Sequence, residues 1–126
     1  MSLTTDQRGR LAEEQAKQLL VSKGFEILVQ RYKCKLGEID LIAIHQNTLI
    51  AVEVKYRRTY SDAAESISLR QRKRILNTLN YFLTEHQDLS LKYPFLRVDV
   101  VLLCQTSDPI HLINAWQSQD DAYEFY

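Results

Sequence analysis

GEIDLIAIHQNTLIAVEVKYR, residues 37–57, is the stretch whose reading decides the fold. Ile39 to His45 and Leu49 to Tyr56 are almost wholly apolar, the pattern of central strands covered on both faces. Gln46-Asn47 between them reads as a two-residue turn, with Asn the residue that tolerates a positive φ. Asp40, Glu53 and Lys55 stand inside these strands, where burial makes charge costly. If His45 pairs with Thr48, Asp40 faces Glu53, Glu38 faces Lys55, and the four side chains share one face of the sheet. Two opposed carboxylates repel and need a compensating partner. An ion-pair network using Lys55 and Glu38 is one solution. A divalent cation such as Mg²⁺, which takes a few carboxylates together with water and phosphate oxygens, is the other.

The flanking sequence supplies the rest of the architecture. Before the hairpin, Asp6 to Lys23 reads as a helix, with Thr4 and Gln7 as a capping box and Gly24 just past its end. Leu11, Ala12, Ala16, Leu19 and Leu20 share its apolar face; Glu13 lies at the edge of that face and Glu14 points outward. Phe25 to Lys33 alternates as a strand with Phe25, Ile27 and Val29 on one side. After the hairpin, residues 57–66 read as a loop. Leu69 to Glu85 then forms a helix that turns Ile75, Leu76, Leu79, Phe82 and Leu83 inward and Arg70, Lys73, Arg74, Asn77 and Tyr81 outward. Leu96 to Cys104 and Ile110 to Asn114 complete an order α-β-β-β-α-β-β. The expected fold is α/β, a central mixed sheet flanked by helices.

Composition narrows the function classes. With 126 residues the chain is expected to form a single domain, 1–126, ending in an acidic and aromatic tail over 116–126. No apolar run reaches membrane-spanning length and no signal peptide is evident, so the expected compartment is the cytoplasm. Cys34 and Cys104 have no metal-ligand spacing and read as unpaired small core residues. The formal net charge is zero, which argues against a uniformly basic surface. Yet residues 55–74 carry seven Lys and Arg against two acids, whereas residues 105–126 carry four acids and no Lys or Arg.

Asp40 followed by Glu53-Val54-Lys55 resembles the D…E-x-K core of restriction-endonuclease-like nucleases. More closely, the chain resembles the YraN-like family of bacterial proteins over about residues 8–116. The carriers are Glu13-x-x-Ala16 with Gly24-Phe25, the run Gly37 to Ala43, Val52-Glu53-Val54-Lys55-x-Arg57, Arg97-x-Asp99-Val100-Val101 and Ile113-Asn114-Ala115. The resemblance implies a restriction-endonuclease-like fold and a Mg²⁺- or Mn²⁺-dependent endonuclease. Asp40 and Glu53 would hold the metal, with the Val54 carbonyl as a further ligand. Lys55 would act on water and phosphate, and Glu13 would assist from the edge of the site. Nucleic acid, DNA first and branched or structured DNA by fold analogy, is the implied partner; a membrane is not, and a homodimer is compatible with fold relatives that act on two strands. The alternative is a binding module of the same fold with little or no catalysis, and a third class is a protein-interaction scaffold whose charged cluster is structural. The chain departs from the family pattern at Gln71 (usually Lys), Ala12 (usually Gly), Val98 (usually Phe) and Tyr60-Ser61 (an aromatic-Gly pair), none of which replaces Asp40, Glu53 or Lys55.

Other residues carry weaker signals. Arg70, Lys73 and Arg74 form a basic helix face suited to phosphates, or a solvated surface. Arg57 continues the face of Lys55, and Arg58 points away from it. Arg97 and Asp99 share a strand face and read as a structural pair. His45, His86 and His111 read as isolated surface or turn residues.

Overall fold

A computed structural model describes residues 2–66, 68–105 and 108–115. The elements are α1 (Thr5–Ser22), β1 (Glu26–Cys34), β2 (Gly37–His45), β3 (Thr48–Arg57), α2 (Tyr60–Glu65), α3 (Leu69–Glu85), α4 (Gln87–Lys92), β4 (Phe95–Cys104) and β5 (Ile110–Leu112). The strands form one sheet in the order β1-β2-β3-β4-β5. Only β3 and β4 are parallel, joined by the helical crossover α2–α4, so the sheet is mixed. This is an α/β fold of restriction-endonuclease-like architecture. The tail, 116–126, and the readings placed on it lie outside the described residues.

The two inner strands are apolar throughout because both faces of the sheet are covered. Leu41, Ala43, Ile50 and Val52 pack against Ala12, Ala16 and Leu20 of α1. Ile42, Ile44, Leu49 and Ala51 pack against Ile75, Leu79 and Phe82 of α3. α1 starts at the expected capping box, Thr4 with Gln7, and stops where Gly24 takes φ +90. It meets the sheet along a narrow stripe of small residues, which leaves Leu11 half exposed, contrary to the wheel reading.

Four other expectations are corrected. A bulge between Ile27 and Val29 shifts the alternation of β1, so Phe25 and Ile27 face α1 while Val29 packs on the α3 side. Residues 60–65 are helical rather than loop; Thr59 Oγ1 accepts from the Asp62 amide at 3.1 Å, and Ala63 is buried against Val100 and Leu102. In the β2–β3 turn the left-handed residue is Gln46, φ 57, not Asn47. β5 ends at Leu112, two residues early, because Asn114 turns to φ 53 and gives its amide to Asp99.

Gly37 fixes how α3 sits on the hairpin. It has φ +154, and a Cβ there would come within 2.9 Å of Thr78 Oγ1 and 3.2 Å of Arg74 Cγ. The absence of a side chain lets the start of β2 lie directly under α3.

Candidate active site

The β2–β3 ladder has the register read from the turn, His45 to Thr48 through Leu41 to Val52, and stops there. Asp40 is skipped by the β1 register as well. The face alternation slips at the same point, since Ile39 joins the α3 side whereas Leu41 joins the α1 side. The strands part at Asp40, and its carboxylate closes the gap: Oδ2 accepts the Val54 amide at 2.7 Å. A side chain thus takes the place of a ladder carbonyl and is aimed by the backbone of β3.

Asp40 and Glu53 lie close enough for each to shift the titration of the other. Lys55 is buried, with Nζ 3.8 Å from Glu53 Oε1. Gln71, one turn into α3 and held by the Ser68 cap, brings Nε2 to 3.4 Å from the same Glu53 oxygen. Burial pushes the Glu53 carboxyl up to about 8, the facing Asp40 adds to this, and Lys55 pulls it back. Asp40 is also raised, first by burial, with the Val54 amide and Glu53 opposing and the charge of Glu13 adding. The two groups titrate as a pair, with Glu53 the one whose proton is held toward neutral pH. Glu38 does not meet Lys55; beyond the parted ladder it pairs with Lys33 at 3.3 Å on the surface.

Asp40 and Val54 line a cleft of about 660 Å³ between α1 and the end of β3, together with Thr5, Arg8, Gly9, Ala12, Glu13, Tyr56, Arg57, Arg58 and Gln105. Glu13 lines it but its Oε2 is held at 2.7 Å by Arg31 Nε. Arg31 sits at φ 56 in β1, a conformation that brings it across to α1. On the α3 side, Glu53, Glu38, Gln71 and Arg74 line a smaller cavity of about 320 Å³. Arg70 and Lys73 are exposed on α3 and line neither cavity. Arg57 and Arg58 both line the larger one, which Lys55 does not, and both side chains are exposed at the end of the strand.

Among the described residues no group of three or more His, Cys, Asp or Glu side chains is assembled as a metal cage. The two-carboxylate set is nevertheless of the kind a hard cation uses, because Mg²⁺ is commonly held by one or two carboxylates with water and phosphate completing its shell. All donors are oxygens, which excludes a soft-metal site.

The model of the uncharacterised protein family UPF0102 matches residues 12–103, a span that contains Glu13, Asp40, Glu53 and Lys55. The chain belongs to this family. It is the YraN-like family indicated by the sequence motifs. Similar UPF0102 proteins come from Azorhizobium caulinodans (39% identity over 111 residues, 87% of this chain and 82% of the relative), Psychromonas ingrahamii (34% over 116 residues, 90% and 92%) and Sinorhizobium medicae (36% over 119 residues, 92% and 93%).

Within this UPF0102 chain, several site residues lay outside the reading of the sequence. Arg31 follows from the irregularity of β1, which strict alternation hides. Gln71 stood out only as a departure from the family pattern, yet it is the α3 residue that reaches Glu53. Arg8 shares the stripe Thr5, Gly9, Ala12 and Glu13 on α1, and the helical wheel carried that signal. Away from the cleft, Asp99 is fully buried and accepts from Arg97 (2.8 and 3.0 Å), His111 Nε2 (2.8 Å) and the Asn114 amide (2.8 Å). His111 is therefore no isolated surface residue, and His45 stacks on Phe25 at 4.5 Å. The Arg97–Asp99 pair is structural, as expected.

Proposed function

We propose that this protein is a divalent-metal-dependent nuclease that hydrolyses phosphodiester bonds of DNA in the cytoplasm. The observation that carries the reading is the buried pair of Asp40 and Glu53, with Lys55 beside Glu53, in which Asp40 opens onto a cleft lined by arginines. An apolar core gains nothing from two facing buried carboxylates, whereas a site that takes up a cation does.

The residues divide the work as follows. Asp40 and Glu53 are the ligands for Mg²⁺ or Mn²⁺, with the Val54 carbonyl as the additional candidate. When bound, the cation would supply a water of lowered pKa and stabilise charge on the phosphate. The Val54 amide holds Asp40, and Gln71 holds Glu53, so both carboxylates are oriented before substrate arrives. Lys55, a buried ammonium beside Glu53, would offset negative charge on the phosphate. Glu13, held by Arg31, lines the same cleft as Asp40 and would assist from its edge. Arg57, and on the far side of the sheet Arg70, Lys73 and Arg74, are candidates for flanking phosphates.

A second reading is a binding module of the same fold. Zero net charge and Gln71 in place of a lysine favour it. One panel separates the two: purified protein is incubated with single-stranded, duplex and junction DNA in Mg²⁺ and Mn²⁺, with Glu53→Ala and Lys55→Ala as controls. The nuclease reading expects metal-dependent cleavage by wild type that both variants lose. Binding without cleavage in either metal would defeat it in favour of the module.

A further inference from the structure

The protein balances 16 Lys and Arg against 16 Asp and Glu, and several arginines outside the cleft spend their charge on a local acid. Arg10 pairs with Asp6, Arg31 with Glu13 and Arg97 with Asp99. Arg8, Arg57 and Arg58 are different. None of the three makes an ion pair among the described residues, and all three line the 660 Å³ cleft. With Glu13 neutralised by Arg31, Asp40 is the remaining acid among the described residues that line the cleft.

Their placement is two-sided. Arg8 stands on the α1 wall, while Arg57 and Arg58 stand on the β3 wall. Arg57 is braced by its own strand, Nη1 donating to the Tyr56 carbonyl at 2.7 Å. Between the walls, Gly9 leaves the α1 rim open: a Cβ there would meet nothing within 4 Å. A glycine inside a helix costs roughly 0.5–1 kcal/mol relative to alanine. No packing requires it here, so what it provides is a smooth rim beside Arg8. Tyr56 lies half-buried on the cleft wall and offers an aromatic surface in the same groove.

We propose that this cleft is a subsite for one polynucleotide strand, with Arg8, Arg57 and Arg58 gripping the phosphates next to Asp40 from both sides. The inference rests on the nuclease reading only for the choice of a nucleic acid as ligand. A cleft of this size is in the range of small-ligand pockets, about 300–1,000 Å³, which admits a short run of one strand. A cationic groove with an aromatic wall is the general recipe for single-strand binding. The α1–β3 cleft, rather than the exposed α3 face, then carries most of the electrostatic binding.

The test is metal-free binding of the full chain in EDTA, read by fluorescence anisotropy. The probes are an oligothymidylate of about 12 nucleotides and a duplex of equal length, each titrated with salt. Each phosphate contact on a single strand contributes about 0.7 to the slope of log K against log salt. The expected result is preference for the single strand, with Arg8→Ala, Arg57→Ala and Arg58→Ala combined lowering the slope by about 2. Arg70→Ala with Lys73→Ala should lower it by less than half of that. Circular dichroism of the variants controls for folding, and single substitutions, each worth about 0.7 in slope, serve if the triple variant does not fold. An unchanged slope in folded variants, preference for duplex, or no binding to either probe overturns the proposal. Cleavage by a triple variant that binds normally would sink the subsite and leave the nuclease reading standing. Arginine-dependent binding without cleavage would do the reverse.

Discussion

Replacing Glu53 by glutamine should make the metal-free protein more stable, and more so as pH rises. Glu53 is raised in the folded state from 4.5 to about 8. Between those values the native carboxyl keeps a proton that the unfolded chain has already released. Unfolding therefore releases a proton, and stability falls with increasing pH across that window. A carboxyl shifted this far withholds roughly 1 kcal/mol at pH 5 and about 4 kcal/mol at pH 8. Wild type in EDTA should lose about 3 kcal/mol between pH 5 and pH 8. Glu53→Gln keeps the shape and can still accept from Gln71, so its stability should be nearly flat over the same range. Urea unfolding followed by circular dichroism at pH 5, 6.5 and 8 measures both. Wild type that is equally or more stable at pH 8, or a Gln variant that tracks wild type, would refute the electrostatic account of the pair.

Three further outcomes follow from the same structure. Gln71→Lys puts a cation beside Glu53 Oε1 and should remove most of the wild-type decline between pH 5 and 8 in the same assay. Asp99→Asn breaks a fully buried carboxylate network and should cost about 3 kcal/mol in urea unfolding at pH 7. Because Asp99 is held below its ordinary value, that contribution is complete above about pH 4 and disappears as pH falls further, the opposite of Glu53. Gly37→Ala should destabilise by about 1–3 kcal/mol, since the new Cβ would sit 2.9 Å from Thr78 Oγ1 on a backbone that disfavours side chains; adding Thr78→Ala should restore part of the loss.

The central hairpin was legible because two constraints agree there. Apolar residues on both faces demand inner strands, and a two-residue turn leaves a single register, which the ladder from His45–Thr48 to Leu41–Val52 follows. The capping box of α1 and the inward edge position of Glu13 were legible for a similar reason, since helix period and cap chemistry are both local. What escaped was irregular or distant. A bulge in β1 and a left-handed Arg31 break the period on which strand reading depends. Asp40 meets Glu53 not as a ladder pair but across a gap in the ladder, where Oδ2 takes the Val54 amide. The union of His111 with Asp99 spans 12 residues and a change of strand, which no local pattern encodes. At Asp40 the alternation fails where a charge is buried, as expected when function overrides packing.

The most direct test of the account is titration of the full chain with Mn²⁺ at pH 8, following thermal stability and heat together. Wild type should bind and be stabilised as the Asp40–Glu53 pair gives up its proton, and Asp40→Ala should show neither effect. No heat and no stabilisation of wild type, or an Asp40→Ala variant that responds like wild type, would contradict it.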